Sequence, residues 1–293
     1  AWKRGGHGAT DMKKSLVESA NTYYYKFSDQ IGYAPIVKTA RDFGLGDVSG
    51  IDVPGEKKGI IPDPDWKKKR TKTVWYRGDT ILLSIGQGFT LVTPIQLAKA
   101  YTFLANKGWA YEPHVISKIE DLQTGKIEIV STKKTILEDY PESYYDIIND
   151  ALIATVDQNN GTTRIMRNPY VKVAAKSGSA QNPHSKLTHA WVAGYFPADK
   201  DPEVVFVCLL EGAGGGGVMA GGMAKRFLDK YLEVEKGIEP VKNTPHTEPK
   251  TTNSTIQTSG NQENENSGEG IGEERENEER ETGETNTSEG EQN

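Results

Sequence analysis

The sequence predicts an α+β fold, in which helices flank an antiparallel sheet. Three apolar segments carry this prediction, at residues 171–181, 189–197 and 203–211, and short turns separate them. This spacing is typical of a meander of antiparallel strands. The segment 218–232 follows with apolar residues at helical spacing, so it can cover one face of the sheet.

Further helices are predicted upstream of the sheet. Apolar residues recur at helical spacing in residues 11–27, with weak points at Ser19 and Asn21, and in residues 34–43. Thr93 as N-cap and Pro94 at the first helical position begin another helix, which ends at Gly108. A hairpin is predicted around residues 121–130 and a helix over 144–156.

Residues 50–80 are rich in glycine, proline and lysine, and they predict a long surface loop. The basic run from Lys67 to Arg70 lies inside this loop. We expect its side chains to be solvated, and contact with the anionic membrane or cell wall is the alternative.

The end of the chain has a different composition. Residues 244–293 contain 13 glutamates against Lys250, Arg275 and Arg280, a net charge of 3 − 13 = −10, and almost no large apolar residues. Such a segment cannot bury enough apolar surface to offset its loss of conformational entropy. We therefore predict a folded domain at 1–238 and a disordered acidic tail at 239–293. The whole chain has a net charge of −6, which leaves +4 for residues 1–243.

Composition also limits the function. Cys208 is the only cysteine, so a disulfide within the chain is excluded. No cluster of His, Asp or Glu has the spacing of metal ligands, and neither a metal nor another cofactor is predicted. No nucleic-acid partner is expected. No apolar stretch reaches the ~18 residues of a membrane span. The chain begins at "AWKRGGHG" without Met, and we expect it to be the C-terminal part of a longer protein.

Lys176 interrupts an apolar run that begins at Val171, and only small residues follow it before Gln181. The simplest interpretation is a solvated lysine where a strand ends. However, Ser177 and Ser179 lie on one side of an extended chain because side chains alternate. A cation, two hydroxyls and free backbone N–H groups suit an extended peptide that ends in a carboxylate. The segment therefore predicts one wall of a peptide-binding site.

Lys176-Ser177-Gly178 resembles the Lys-Thr/Ser-Gly motif of penicillin-binding proteins and serine β-lactamases. Ser19-Ala20-Asn21 matches the Ser-x-Asn motif of these proteins, in the expected order. Four segments resemble class B penicillin-binding proteins of the elongation type: "GGHGATDMKKSLVESANTYYY", "SIGQGFTLVTPIQLAKAY", "KSGSAQNPHSKLTHAWVAGYFP" and "LLEGAGGGG". The resemblance covers nearly all of residues 1–232, and it implies the penicillin-binding protein transpeptidase fold.

The resemblance also implies a reaction. In this family the serine of a Ser-x-x-Lys motif attacks the penultimate D-Ala carbonyl of a peptidoglycan stem peptide and releases the last D-Ala. The acyl group then passes to an amine on a neighbouring strand. The backbone N–H of Ser179 would form half of the oxyanion hole. Catalytic roles are implied for Ser19, as a proton relay, and for Lys176, and substrate-binding roles for Asn21, Ser177, Gly178 and Ser179.

One departure from the family pattern concerns the nucleophile. Ser-x-x-Lys occurs only from Ser131 to Lys134, after the predicted hairpin, and we interpret it as a chance match in a surface loop. The acylated serine is expected upstream of Ala1, so this chain alone is predicted not to form an acyl-enzyme. The expected partners are peptidoglycan stem peptides, β-lactams as covalent inhibitors of the full-length protein, and cell-wall elongation proteins. The expected location is the outer face of the bacterial cell membrane, with an anchor outside this sequence.

Two alternatives remain. Because the nucleophile is missing, the chain could be a non-catalytic module with a degenerate transpeptidase fold that binds peptidoglycan or a cell-wall protein. Gly212, Gly214 and Gly217 have the spacing of a dinucleotide-binding loop between a strand and a helix, and Glu233 follows at ~20 residues. That motif needs a second parallel strand, which the sequence does not indicate. The glycines favour a tight turn and close packing.

Overall fold

The structure is a computed structural model, and it describes residues 3–182 and 186–239. Within these residues the helices are α1 Met12–Val17, α2 Asn21–Ile31, α3 Tyr33–Asp42, α4 Pro64–Thr71, α5 Arg77–Leu83, α6 Pro94–Ala105, α7 Glu142–Asp157 and α8 Met219–Lys236. The strands are β1 Trp109–Tyr111, β2 Lys118–Glu120, β3 Ile127–Ile129, β4 Lys134–Ile136, β5 Ala174–Ala180, β6 His189–Phe196 and β7 Val204–Leu210.

The largest sheet is the antiparallel meander that the sequence predicts, with strand order β5-β6-β7. Its register pairs Lys176 with Ala193, and Val192 with Cys208. Helices cover both faces of this sheet. The α+β prediction is therefore confirmed, and β5 is left as an edge strand.

Alternation along β5 divides the core into two layers. Ala175 packs in a cluster with Val192 and with Leu228 of α8. Ala174 points to the opposite face, where it packs with Tyr195 and with Leu152 of α7. Small residues on β5 let helices approach both faces closely, so the strand is held firmly from both sides.

Most of the predicted helices and the hairpin are confirmed. Thr93 caps α6 by accepting a hydrogen bond from the Gln96 N–H, and the Gln96 side chain accepts one from the Thr93 N–H. This capping box and the proline at the first position explain why the helix begins there. The predicted helix over 11–27 is split into α1 and α2 around Ser19, at the point where the sequence pattern is weak. β2 and β3 form the predicted hairpin.

The prediction of a long loop over residues 50–80 is wrong. Asp63 caps α4 through the Trp66 N–H at 2.8 Å, with Pro64 at the first position. Lys67 is only 5% exposed, because it is paired with Asp79 at the start of α5. The abundance of proline and lysine predicts a loop, but Pro64 begins α4 and the side chain of Lys67, in the same helix, is buried.

The strand does not end at Lys176, as the apolar run suggested. β5 begins three residues later than that run and continues to Ala180, so Lys176 lies inside it. The small residues after Lys176 are therefore strand residues paired with β6. No helix among the described residues is long and apolar enough to cross a membrane. The predicted acidic tail lies outside the described residues from 240 onward, and it stays a prediction.

Candidate functional site

The structure brings together two residues that are 157 positions apart in the chain. Lys176 Nζ in β5 donates a hydrogen bond to Ser19 Oγ at 2.9 Å, in the turn between α1 and α2. The same ammonium donates to the Ser177 carbonyl oxygen at 2.7 Å. The Ser-x-Asn and Lys-Ser-Gly motifs are therefore joined by a direct hydrogen bond, a contact that the sequence alone did not predict.

Lys176 holds its charge in a poorly solvated place. Burial lowers the pKa of its ammonium to about 8, because the charged form loses hydration. Among residues 3–182 and 186–239 no carboxylate pairs with Nζ to offset this loss, and its hydrogen-bond acceptors are the Ser19 hydroxyl and the Ser177 carbonyl. A lysine with this pKa exists partly as the free amine near neutral pH, so it can both accept and donate a proton.

The turn that carries Ser19 has an unusual backbone. Ser19 has φ of +51°, in the left-handed region, which non-glycine residues seldom adopt. Its N–H donates to the Leu16 carbonyl at 3.3 Å, while the Ala20 N–H donates to the Ser15 carbonyl at 2.9 Å. Ala20 is fully buried and fixes the end of the turn. These contacts aim the Ser19 hydroxyl at β5.

Asn21 is the first residue of α2, two positions after Ser19. Its side chain is exposed, and no hydrogen bond joins it to another described residue. The amide is therefore available to a ligand at the same end of α2.

The free edge of β5 carries a row of backbone carbonyls. The carbonyls of Ala175, Ser177 and Ser179 accept side-chain hydrogen bonds from Thr155 Oγ1, Lys176 Nζ and Gln87 Nε2, in that order. Alternate residues of a strand direct their polar groups to the same edge. The Gln87 bond is long, at 3.3 Å, and Ser179 is exposed. An extended peptide could add to this edge most readily at Ser179.

The glycines after β7 pack directly on this strand. The Gly216 N–H donates to Ser179 Oγ at 3.1 Å. A Cβ added at Gly216 would lie 2.0 Å from the Gly178 carbonyl oxygen, and one at Gly217 would lie 2.3 Å from the Thr162 carbonyl oxygen. Close packing therefore requires glycine at both positions, as the sequence indicated. The dinucleotide-binding alternative is wrong, because the sheet is antiparallel and no strand follows α8 in the described part of the chain.

The sequence analysis missed several residues that support the site. Gln87 lies in the "SIGQG" segment, where it reaches Ser179 across 92 residues. Thr155 of α7 is fully buried and bonds both the Ala175 carbonyl and the Thr163 hydroxyl. Glu18, directly before Ser19, is buried too. Local patterns could not identify these residues, because their partners are distant in the chain.

The Ser131–Lys134 pattern lies in a different environment. Ser131 is exposed between β3 and β4, and Lys134 begins β4. The Lys134 ammonium sits over the Trp109 ring, 4.1 Å from its centroid. A cation–π contact of this kind explains the lysine as a surface residue. In the described residues no group of three or more His, Cys, Asp or Glu could hold a metal ion.

Comparison with known proteins identifies relatives. The family model described as the penicillin binding protein transpeptidase domain matches residues 1–230. Peptidoglycan D,D-transpeptidase MrdA of Haemophilus influenzae is 35% identical over 267 residues, covering 82% of this chain and 40% of the relative. MrdA of Escherichia coli K12 is 34% identical over 248 residues, covering 79% of this chain and 38% of the relative. The chain thus spans about two fifths of these relatives.

Solved structures agree with this. The structure of the complex between penicillin-binding protein PBP2 and MreC from Helicobacter pylori matches with a TM-score of 0.70 at 29% identity, covering 80% of this chain and 42% of that chain. Pseudomonas aeruginosa PBP2 in complex with WCK 5153 matches with a TM-score of 0.69 at 28% identity, covering 83% of this chain and 54% of that chain.

Proposed function

The chain belongs to the family of penicillin-binding protein transpeptidase domains, and we propose that it forms two walls of a peptidoglycan D,D-transpeptidase site. The observation that carries this proposal is the 2.9 Å hydrogen bond between Lys176 Nζ and Ser19 Oγ. It links the Ser-x-Asn and Lys-Ser-Gly motifs with the spacing that proton transfer needs.

In the proposed reaction a serine attacks the penultimate D-Ala carbonyl, the peptide bond breaks, and the last D-Ala leaves with a proton on its amine. An amine of a neighbouring stem peptide then attacks the acyl-serine and forms the cross-link. Ser19 relays protons to the leaving amine and from the attacking one, and the Lys176 ammonium, with its pKa near 8, supports this relay. Breaking the acyl-serine bond returns a proton from the attacking amine to the serine oxygen, so the serine hydroxyl is regenerated.

The peptide is proposed to add as a strand along the free edge of β5. Asn21 would bind an amide of the donor peptide, and Ser177 and Ser179 would bind its carboxylate. The absence of a Cβ at Gly178 leaves room beside the ligand. The Ser179 N–H would stabilise the oxyanion, and loss of such a donor lowers the rate by ~10² to 10³.

The nucleophile is proposed to come from residues outside the given sequence. Ser131 and Lys134 are unsuited to this role, since the ammonium of Lys134 is engaged over Trp109. We propose that a Ser-x-x-Lys motif and a membrane anchor precede Ala1 in a longer protein, which acts on the outer face of the membrane. MreC is a partner of the Helicobacter pylori relative, and an elongation protein of this kind is a proposed partner here.

A fluorescent penicillin tests the proposal. We expect no covalent label on the 293-residue chain, and a labelled band on a longer form that carries Ser-x-x-Lys upstream of Ser19. Unlabelled penicillin should compete for the label, and Lys176→Met in the longer form should slow labelling by ~10² or more. If a folded longer form takes no label, the chain is instead a non-catalytic module. Covalent labelling of the 293-residue chain would contradict the assignment of the nucleophile.

A further inference from the structure

Glu18 is a buried carboxylate directly before Ser19. It is 3% exposed, and three side chains lie within hydrogen-bond distance of its carboxylate. Its Oε2 lies 2.7 Å from Lys3 Nζ and 2.7 Å from His7 Nδ1, while Oε1 accepts from Asn160 Nδ2 at 2.9 Å. The hydrogen bonds from Lys3 and His7 hold the pKa of Glu18 at about 2, so it is ionised throughout the neutral range.

The partners of Glu18 come from separate parts of the chain. Lys3 and His7 lie before α1, whereas Asn160 lies in the loop after α7, 142 residues away. The same loop makes a second contact with α1, because the Thr162 N–H donates to the Val17 carbonyl at 3.2 Å. The end of α1 is therefore fixed to the segment that leads into β5.

The turn needs such support. Ser19 has a left-handed backbone, which costs on the order of 1 kcal/mol or more for a non-glycine residue unless neighbouring contacts impose it. Its own turn bonds are made within residues 15–20 and cannot fix the turn against β5. Glu18 is the adjacent residue that makes side-chain bonds outside the turn.

We propose that Glu18 is a positioning residue, which holds the Ser19 turn against the loop after α7 so that Ser19 Oγ receives the hydrogen bond of Lys176. The role rests on the proposed function, in which Ser19 and Lys176 act together. A purely structural role would hold residues 3–7 and Asn160 in place without affecting Lys176. The positioning role predicts that the hydration of the Lys176 ammonium depends on Glu18, and the purely structural role predicts that it does not.

Glu18→Gln in the 293-residue chain tests the proposal without any ligand. The side chain keeps its size but loses its charge, so the turn loosens and water reaches Lys176 Nζ. Loss of the Ser19 acceptor alone would lower the pKa of Lys176, but in a loosened turn water solvates the ammonium and outweighs that loss. We therefore expect the pKa of Lys176, followed by NMR of its side chain, to rise by about 1 toward the value of a solvated lysine, which is a roughly tenfold change in the equilibrium.

Asp229→Asn is the matched control. Asp229 also bonds a lysine and an asparagine, Lys225 and Asn168, but it lies on α8. The Asp229→Asn variant should leave the pKa of Lys176 unchanged. If Glu18→Gln fails to fold, Asn160→Ala replaces it, with a smaller rise expected.

An unchanged pKa of Lys176 in a folded Glu18→Gln or Asn160→Ala variant would overturn the proposal. So would an equal rise in Asp229→Asn. Since this readout needs no acylation, a longer form that takes no penicillin would contradict the proposed function and leave the positioning result standing.

Discussion

Lys67 and Lys176 both hold an ammonium group that is withdrawn from water, but among the described residues only Lys67 is paired with a carboxylate. Lys67 is 5% exposed, its ammonium lies 2.6 Å from Asp79 Oδ2, and it stacks over the Tyr76 ring at 4.6 Å from the centroid. Among residues 3–182 and 186–239, Lys176 Nζ donates hydrogen bonds only to the Ser19 hydroxyl and the Ser177 carbonyl. A carboxylate balances the charge of the first lysine. In the described part of the chain no carboxylate pairs with the second, and burial lowers its pKa to about 8.

The comparison shows what makes a lysine useful for chemistry. Loss of hydration disfavours an ammonium group unless a nearby carboxylate offsets it. A paired lysine contributes to the fold through its ion pair, whereas an unpaired one costs stability and gains a pKa close to the working range. Functional sites commonly carry such a cost.

The largest expected change in the free energy of unfolding follows from breaking the Lys67–Asp79 ion pair. Asp79→Asn leaves the Lys67 ammonium buried without a counter-charge, and removal of one partner from a buried pair typically costs 3–5 kcal/mol, about the loss expected here. Urea unfolding measures it. Asp65→Asn removes an exposed carboxylate from the first turn of α4, the helix that contains Lys67, and should cost less than about 1 kcal/mol. Equal losses for the two variants would mean that Lys67 is not dependent on Asp79.

The same substitution at the two lysines should have opposite signs. Lys67→Met strands the Asp79 carboxylate and should lower the free energy of unfolding by about 3 kcal/mol. Lys176→Met removes a poorly solvated charge while keeping an apolar stem, so it should raise that free energy by about 1 kcal/mol at pH 7. Unfolding in urea at one pH decides this. A loss of stability in both Lys67→Met and Lys176→Met would contradict the conclusion that only Lys67 stabilises the fold.

The pH dependence of stability should contain a contribution from Lys176. Its pKa is about 8 in the folded state and near 10.5 in a solvated lysine, so the unfolded state binds more protons between these values. The free energy of unfolding therefore rises with pH from about 8 to 10.5, by at most ~1.4 kcal/mol per pH unit from this group.

Other groups titrate in the same window, so the difference from Lys176→Met isolates the effect. That variant should lack this part of the rise. Parallel stability curves for the two proteins between pH 8 and 10.5 would contradict the lowered pKa.

The smallest expected effect concerns the acceptors of Lys176. Ser19→Ala removes the hydroxyl that accepts from the ammonium, so the pKa of Lys176 should fall by a few tenths more, roughly, since the charged form loses a partner. Ser177→Ala keeps the backbone carbonyl that accepts from Lys176 and should change nothing. NMR titration of the Lys176 side chain measures its pKa in the two variants. An equal shift in the two variants would show that the Ser19 contact is unimportant.

Local patterns predicted most of the elements near the site. The capping box at Thr93 and the alternation in β5 depend on residues a few positions apart, so the sequence contains their full cause. Residues 50–80 were mispredicted for the opposite reason. The helix at Pro64 is stabilised by burial of Lys67 against Asp79, 12 residues away, and composition alone suggested a loop.

The sequence by itself determined the antiparallel meander, the weak point in the helical pattern near Ser19 and the candidate residues Ser19, Asn21 and Lys176, because alternation and short motifs are local properties. Tertiary structure decided which of these residues meet. Three hydrogen bonds join residues that are distant in the chain. They run from Lys176 to Ser19, from Gln87 to the Ser179 carbonyl and from Asn160 to Glu18, across 157, 92 and 142 positions. The pKa of Lys176 belongs to the same group, since only packing removes water from its ammonium.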